Sequence, residues 1–412
     1  MIHKMRWLAV LLALGLVVAA CGDDDTATAI TEAPAITEAP ATTEAPATTE
    51  APATTEAPDP FEGLSFAYAS AGDSVGIFLA LGDALVSSAE ALGIPVARYD
   101  NNFDGETALA NADLILADPP SVVINWNTQV GVGAALGKKF TDAGVPCVAI
   151  NQPIPGCHWL NWSNTVIGKE AAAIVAPMAI ERGWDGSNTT IFMSVAVANG
   201  PETNDGARQW YLELSRLLPG FEQVTPPTYF SDGRVEDEGG ITGGTTSIGG
   251  TNGIQIDCEA TLDGAYTATR NIVSSIPQGN NILLFGVDDD CALGALRALD
   301  EADIGGEIMA CGEGAYEDGV VQLRDNPAFV CTAGIFITDT SMYAIAMAVA
   351  VELGMTIPDW TPAPQVMLTA DNIDEYYEVS ELEPYQLPPL VDGNRYLLDT
   401  GVFETLGASF GG

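Results

Sequence analysis

The chain is poor in basic residues. It contains 14 Lys and Arg against 56 Asp and Glu, which gives a formal net charge of −42 at pH 7. Phosphate backbones and anionic lipid surfaces would repel such a chain, so the composition argues against nucleic-acid binding and against peripheral membrane binding. A solvated acidic surface is the simplest interpretation, and the charge alone indicates no particular cationic partner.

Histidine is scarcer still, with only His3 and His158. This leaves few residues for general-base catalysis, and without a CxxC pair it argues against a Cys/His metal site. The metalloprotease HExxH, P-loop and complete GxGxxG motifs are missing. The segment 407–411, GASFG, fits GxSxG, but it lies at the C-terminal end of the sequence without a preceding strand or a following helix. We therefore expect no enzyme, no metal and no cofactor.

Long hydrophobic runs are also missing, since the longest, WLAVLLALGLVVAA, is shorter than the roughly 20 residues of a membrane-spanning helix. Lys4 and Arg6 precede this run and Cys21 follows it, which is typical of an export signal over 1–20. LVVAAC resembles a lipobox, so Cys21 is predicted to carry a lipid anchor at the cell surface or on the periplasmic face. Ordinary secretion with a free Cys21 is the alternative.

Residues 21–60 are Asp-rich and then repeat Thr, Glu, Ala and Pro. A segment of low hydrophobicity, like charges and regularly spaced Pro cannot bury a core. We predict a disordered, semi-extended tether between the anchor and the folded part.

Six further cysteines follow Cys21 and allow fifteen disulfide pairings. An even number in an exported protein favours disulfides over free thiols. Cys311 and Cys331 occupy equivalent points of consecutive predicted strands, and we hypothesise that they pair. The set is then completed by two further hypothesised pairs, Cys147–Cys157 and Cys258–Cys291.

The roughly 350 residues after the tether are enough for two lobes. Short Val/Ile-rich strands alternate with helical patterns of 10–15 residues, which favours parallel sheets covered on both faces. The predicted strands are LSFAYAS, PVARYD, SVVINW, PCVAINQP, TTIFMSVAV, PPTYF, NILLFGVDD, EIMACGEG and FVCTAGIFI. A Gly-rich insertion between Ser231 and Cys258 is interpreted as a surface loop or short hairpin, and the tail from Pro358 as irregular.

Ligands of open parallel sheets bind beyond the carboxyl ends of the strands. The predicted strand ends are polar and aromatic: 70–74, 125–127, 151–152, 199–200, 229–230, 288–289 and Glu313. Amides and carboxylates suit vicinal hydroxyls, and aromatic faces suit the C–H patches of a sugar ring. Trp126 and Phe78 are candidates for stacking on the ligand, with ordinary lobe packing as the alternative.

The chain from about Leu64 to Gly354 resembles the periplasmic sugar-binding proteins of the ribose/galactose-binding type, which have the type I solute-binding fold. The most similar stretch is ILLFGVDDDCALGALRALDEADI, 282–304. AGVPCVAIN (143–151) and SNTVIGKEAA (163–172) give further support. The resemblance implies two doubly wound parallel-sheet lobes joined by a three-crossing hinge. Lobe 1 is expected to take 61–164 and 333–360, lobe 2 to take 165–332, and 361–412 to form the tail.

The resemblance also implies a function, that of the extracytoplasmic solute-binding component of an ABC importer. Its ligand is expected to be a monosaccharide or related polyol, its partner a membrane permease, and the protein itself a monomer. A ligand-sensing adaptor for a membrane receptor, or an importer component for a cationic or nucleoside-like ligand, are the alternatives. With Trp126 from the strand ends, the expected ligand-binding residues are Ser70, Ser74, Phe78, Trp126, Asn151, Gln152, Asp205, Phe230, Asp288 and Glu313.

Several positions depart from the family's pattern. Gln152 and Asp205 stand where ribose-type members commonly have Arg, so ribose itself is not expected. In the run 288–290, Asp288 is expected to contact the ligand and Asp289 or Asp290 to cap the following helix. Asp205, Asp288 and Glu313 make the predicted cleft acidic; acceptance of hydroxyl hydrogen bonds is the preferred explanation, and a cationic ligand is the alternative.

Overall fold

The structure is a computed structural model that describes residues 59–221, 246–248, 253–315, 318–379 and 383–411. The predicted export signal, Cys21, the tether, the PPTYF strand and Phe230 lie outside these residues. Within them, no helix is both long enough and apolar enough to cross a membrane.

Two sheets organise the folded part, and strands and helices alternate through both. The first half of the chain forms β1 (Phe66–Ser70), α1 (Gly76–Ala91), β2 (Val96–Asp100), α2 (Gly105–Ala117), β3 (Val122–Asn125), α3 (Val130–Ala143), β4 (Cys147–Ile150) and β5 (His158–Asn161). The second half forms α4 (Asn164–Glu181), β6 (Thr189–Val195), α5 (Gly200–Leu217), β7 (Thr246–Ile248), β8 (Gly253–Asp257), α6 (Leu262–Ile272), β9 (Asn281–Gly286), α7 (Asp289–Ala302), β10 (Ile308–Gly314), α8 (Asp318–Asp325) and β11 (Phe329–Gly334). The remaining elements are α9 (Thr340–Glu352), β12 (Trp360–Pro362), β13 (Val366–Leu368) and α10 (Val402–Leu406).

The first sheet is parallel throughout, in the order β12-β5-β4-β3-β1-β2. Every residue of β1, β3 and β4 is buried, because helices cover both faces, and this explains their apolar sequences. The second sheet has the order β13-β11-β10-β9-β6-β8-β7. Its inner strands are parallel, and its edge strands β13 and β7 are antiparallel to their neighbours. The predicted two-lobed α/β fold is confirmed.

The chain passes between the two sheets three times. It leaves the first sheet between β5 and α4, returns between β11 and α9, and crosses again between β12 and β13. Two side chains bind backbone at these crossings: Trp162 Nε1 donates to the Ile335 carbonyl at 2.9 Å, and Gln365 Oε1 accepts from the Ser163 amide at 2.5 Å. The first crossing is therefore hydrogen-bonded to each of the other two.

The tail was expected to be irregular. It contains regular secondary structure and contacts both lobes. After β13, Tyr377 donates its hydroxyl to the Ala315 carbonyl at 2.9 Å, next to β10. The chain then returns to α9, where Phe403 of α10 packs on Tyr343 with 5.0 Å between ring centroids. Its sequence is rich in Pro and acidic residues and lacks the hydrophobic periodicity of a helix or strand, so the sequence did not predict these elements.

Three elements differ from the sequence-based assignment in detail. Strand β5, sequence HWLN, and helix α8 were not assigned, because both are short and β5 lacks the Val/Ile character of its neighbours. The Gly-rich insertion, interpreted as a surface loop or short hairpin, includes the antiparallel pair β7–β8, and β8 also pairs in parallel with β6, so it supplies a strand of the second sheet that the sequence did not predict.

Helices α4 and α5 pack closely because of two glycines. A Cβ atom placed on Gly168 would collide with the Gly206 carbonyl oxygen. This close approach lets Thr165 on α4 donate to Asp205 on α5. Gly168 therefore sets the spacing of two helices whose N-terminal ends lie beside the candidate site.

The three hypothesised disulfides are confirmed, and they join Cys147 to Cys157, Cys258 to Cys291 and Cys311 to Cys331. The Cα atoms of the three pairs are 4.7, 5.6 and 4.6 Å apart, within the range that disulfides require. Cys311 and Cys331 are register partners on neighbouring parallel strands.

Candidate functional site

The carboxyl ends of the two sheets' strands meet face to face. Gln152, after β4, donates its Nε2 to the Asn199 carbonyl at 2.8 Å and to Thr203 Oγ1 at 3.3 Å. Asn161, at the end of β5, donates its Nδ2 to Glu202 Oε1 at 2.7 Å. Asn199, Glu202 and Thr203 lie at the start of α5, which follows β6 of the second sheet. The lobes are therefore in a closed arrangement around these ends.

Four neighbouring strands of the first sheet, β5, β4, β3 and β1, each end at a buried polar atom without a hydrogen-bond partner among the described residues. These atoms are Asn161 Oδ1, Asn151 Oδ1, Asn125 Oδ1 and Ser70 Oγ. A buried polar atom left unpaired costs about 1–3 kcal/mol. Four such atoms in a row at one edge indicate a surface prepared for a polar ligand.

The backbone of Asn151 is held in the left-handed region, with φ of 61°. Asn tolerates this conformation better than most residues. Its amide donates to the Leu160 carbonyl at 2.9 Å, and its own carbonyl accepts from Trp159 Nε1 at 2.7 Å. Strand β5 thus fixes the turn that places Asn151, so Trp159 acts on the backbone of the site.

Buried aromatic rings pack beside this polar edge. The Phe78 ring lies 4.4 Å from Trp126 and 5.3 Å from Phe103, centroid to centroid, and Trp126 lies 5.7 Å from Trp162. Phe78 and Trp126 therefore contribute to lobe packing, one of the two roles that the sequence left open. Phe78, in the first turn of α1, and Trp126, directly after β3, lie beyond the carboxyl ends of the strands, and stacking on the ligand remains a prediction.

Asp288 caps helix α7, with its Oδ1 accepting from the Cys291 amide at 2.6 Å. The expectation that Asp289 or Asp290 makes this cap is wrong. Asp289 instead accepts from Thr332 Oγ1 at 2.6 Å and from the Ala315 amide at 2.7 Å, and so ties the ends of β10 and β11 together. Three consecutive acids offered no sequence signal to tell the capping residue from its neighbours.

Glu313, near the end of β10, is 7% exposed, and its Oε2 has no hydrogen-bond partner among the described residues. Burial raises the pKa of its carboxyl well above the ordinary value, and the charges of Asp288, Asp289 and Glu202 raise it further. Burial also raises the pKa of Asp288 and of Asp289 to about 7. The second sheet thus presents an acidic edge to the amide-lined edge of the first.

Glu202 joins this acidic edge from α5. Burial raises the pKa of its carboxyl to about 7, against the lowering effect of the hydrogen bond from Asn161. The charge of Asp205 adds to the rise, and that of Arg208 opposes it. Glu202 is thus the carboxyl that links the acidic edge to the polar edge of the other lobe.

Asp205 forms a buried ion pair within α5, where Arg208 Nη1 lies 2.6 Å from its Oδ1. Thr165 also donates to it. The carboxylate that the sequence proposed for the ligand is therefore engaged by its own helix and by α4. Its role as a ligand contact remains a prediction.

The structure brings Ser70, Asn151, Gln152, Asp288 and Glu313 to the facing strand ends, while Ser74 is exposed at the start of α1. Sequence reasoning missed Asn161, Glu202 and Asn164. Asn164 is 1% exposed, and neither of its side-chain polar atoms has a described partner. The signal for Asn161 was hidden because β5 was not recognised as a strand. Among the described residues, no group of His, Cys, Asp and Glu is arranged to hold a metal ion.

No protein-family model and no curated protein matches the chain. Solved structures do match. An ABC sugar transporter subunit from Rhodobacter sphaeroides 2.4.1 is similar at 18% identity and a TM-score of 0.57, covering 76% of this chain and 100% of its own. An ABC transporter solute-binding protein from Mycobacterium smegmatis, with bound glycerol, is similar at 17% identity and a TM-score of 0.60, covering 78% and 99%.

A Caulobacter myo-inositol binding protein, bound to myo-inositol, is similar at 18% identity and a TM-score of 0.58, covering 76% of this chain and 95% of its own. The matches extend over nearly the whole of each solved protein, and each sheet of this chain has the parallel core that the sequence predicted. The chain therefore has the type I periplasmic-binding-protein fold of the ABC sugar-transporter solute-binding proteins.

Proposed function

We propose that the chain is the extracytoplasmic solute-binding component of an ABC importer and captures a monosaccharide or related polyol between its lobes. The row of four buried, unpartnered polar atoms at the ends of β5, β4, β3 and β1 carries this proposal. Each atom accepts a hydrogen bond, and adjacent hydroxyls of a polyol can each donate one. The glycerol and myo-inositol of the similar solved structures support a ligand of this size and polarity.

Closure of the lobes is the event that a transporter would recognise. The contacts of Gln152 with Asn199 and of Asn161 with Glu202 connect the two lobes directly. A ligand that binds both edges adds its own contacts to these and shifts the population toward the closed state. A membrane permease that docks only on closed lobes would then receive loaded protein.

The remaining parts of the proposal rest on the sequence. Residues 61–164 with 333–360 would form lobe 1, and 165–332 lobe 2. The signal over 1–20, lipidation of Cys21 and the 21–60 tether would hold a monomeric binding protein close to its permease at the cell surface or on the periplasmic face.

A thermal-shift screen tests the proposal. The full chain is heated with pentoses, hexoses, amino sugars, polyols, nucleosides and amino acids in turn. A ligand that binds only the folded state stabilises it by RT ln(1 + [L]/Kd), so the unfolding temperature rises with the logarithm of the ligand concentration once this exceeds Kd. We expect a concentration-dependent rise with one group of polyhydroxylated compounds. A rise with amino acids or nucleosides alone would contradict the polyol assignment.

A further inference from the structure

We propose that the ligand carries a protonated amine beside its hydroxyls, as an amino sugar or aminocyclitol does, and that Glu313 binds this amine. The proposal rests on the proposed function, because the amine subsite lies in the same cleft. It adds a division of labour between the two facing edges: the amides and hydroxyl of the first sheet bind ligand hydroxyls, and the acidic edge of the second binds the amine.

The buried side chain of Glu313 offers a hydrogen-bond acceptor without a described donor. Its side chain is more than nine-tenths buried, and Oε2 has no partner among the described residues. It lies near the end of β10, at the edge where ligands of parallel sheets bind. Asn164, at the start of α4, is also buried with both side-chain polar atoms unpartnered among the described residues. A cleft occupant that donates a hydrogen bond to Glu313 Oε2 would remove the cost of leaving that atom unpaired.

Among the described residues, the charges that act on Glu313 come from the acids Asp288, Asp289 and Glu202. Arg208, whose charge acts on Glu202, lies 2.6 Å from Asp205 in an ion pair within its own helix. A buried carboxylate surrounded by other carboxyls is costly unless it takes up a proton or a positive charge joins it. A neutral sugar supplies hydrogen bonds to this edge but no charge, whereas an amine supplies both.

An ammonium group fits better than a metal ion. The described acidic side chains are not grouped as metal ligands. Two of them are already used in the fold, since Asp288 caps α7 and Asp289 ties β10 to β11. An ammonium has three donors on a compact centre, so it can bond Glu313 and still reach a second acceptor.

Matched ligand pairs test the subsite by titration calorimetry on the full chain. The probes are glucosamine against glucose and N-acetylglucosamine, galactosamine against galactose, and an amino-inositol against myo-inositol, at a pH where the amines are protonated. We expect one amine to bind at least about tenfold more tightly than its hydroxyl and N-acetyl counterparts, as a charge-assisted hydrogen bond to a buried carboxylate allows.

The Glu313→Gln variant keeps the size of the side chain and removes its charge. We expect it to abolish the preference for the amine, measured as the ratio of the affinities of the amine and its neutral counterpart for the same variant, whatever change it causes in the affinity for the neutral compound. Glu307→Gln is the matched control: Glu307 directly precedes the same strand at its opposite end, where it pairs with Arg182 at 3.0 Å. The control should keep the amine preference, and a thermal melt confirms that both variants are folded.

The outcomes separate this inference from the proposed function. Tight binding of a neutral sugar together with weaker binding of its amine overturns the amine subsite and leaves the polyol-binding function standing. An amine preference that survives Glu313→Gln overturns the role of Glu313. Failure of every probe to bind overturns the proposed function and the subsite with it.

Discussion

Asn164 is a buried side chain that we expect to be costly to the free protein and to bind the ligand in the complex. It is 1% exposed with both polar side-chain atoms unpartnered among the described residues. The desolvation penalty of such a group is about 1–3 kcal/mol, and a ligand that bonds it removes the penalty. Substitution of such a residue by an apolar one is expected to raise the stability of the free protein and to lower its affinity for the ligand.

The substitution Asn164→Leu should therefore hold or raise the unfolding temperature of the free protein, since Leu has the same branched set of four side-chain heavy atoms and lacks the unpaired polar ones. Ligand affinity should fall by about 1–3 kcal/mol. Thermal melts and calorimetry measure the two effects. Asn280→Leu is the contrast: Asn280 is buried but donates to Thr190 at 3.1 Å, so its loss should lower stability and leave affinity unchanged. A large loss of stability in Asn164→Leu would argue against a ligand-facing role.

The buried carboxyls predict a pH dependence. Burial raises the pKa of Glu202, Asp288 and Asp289 to about 7. Between the ordinary value near 4 and about 7, the folded state binds more protons than the unfolded state, so the free energy of unfolding falls as pH rises through this window. The ligand-free protein should melt at a higher temperature at about pH 5 than at about pH 8.

Variants identify the groups responsible. Glu202→Gln should flatten this dependence, and Glu307→Gln, which changes an exposed carboxyl, should leave it as it is. A melting temperature that rises steadily from pH 5 to pH 8 would show that the carboxyls at the strand ends are not the groups that titrate.

At the scale of elements, the sequence predicted the strands and helices best where their burial is most uniform. Strands β1, β3, β4 and β6 are buried along their whole length and read as apolar runs. Strand β5 was missed because it is half-exposed at its start and contains His and Trp. The candidate site inherits this pattern: Ser70 and Asn151 follow recognised strands, whereas Asn161 follows the missed one. Contacts across lobes, such as Asn161 with Glu202, have no local sequence signal at all.

The disulfide between Cys258 and Cys291 joins the end of β8 to the first turn of α7. It closes a loop with a sequence separation of 33, so the double variant Cys258→Ser/Cys291→Ser should lose about 2–4 kcal/mol of unfolding free energy. Denaturant titration measures the loss.

Intact mass after alkylation under denaturing, non-reducing conditions should show no modified thiol among the six paired cysteines of the parent chain, and labelling of any of them would contradict the pairing.

At the scale of the molecule, closure depends on how closely the lobes approach at α5. Gly200 has φ of 87°, and a Cβ atom there would lie 2.8 Å from Val130 Cγ2 and 3.2 Å from Gln152 Nε2 of the other lobe. Contacts between distant segments of this kind arise from the assembled fold, which is why the sequence indicated a clamp but not the residues that meet when it shuts.

Gly200→Ala should therefore hinder closure. We expect a larger radius of gyration by small-angle X-ray scattering and a ligand affinity reduced by about tenfold, as a tilt of the open–closed equilibrium requires. Gly183→Ala is the matched control, since Gly183 also has a positive φ, 75°, but nothing lies within 4 Å of the added Cβ. Gly200→Ala should lose more stability than Gly183→Ala, because φ of 87° with ψ of 175° is a conformation that almost only Gly adopts. Thermal melts must therefore show that both variants are folded before their affinities are compared. Equal affinity in the two variants would contradict the role of the Gly200 contact.

The three disulfides have a further consequence if the protein binds its ligand by moving two lobes, as proposed. Cys147–Cys157 lies beside the first sheet, and Cys258–Cys291 and Cys311–Cys331 lie within the second, so each joins two points that move together. In a thermodynamic cycle that links unfolding, opening and binding, such a cross-link changes the free energy of unfolding. It leaves the free energies of lobe opening and of ligand binding unchanged. Reduction of the bridges should therefore lower the stability of the protein, while a reduced molecule that stays folded keeps the affinity of the oxidised one.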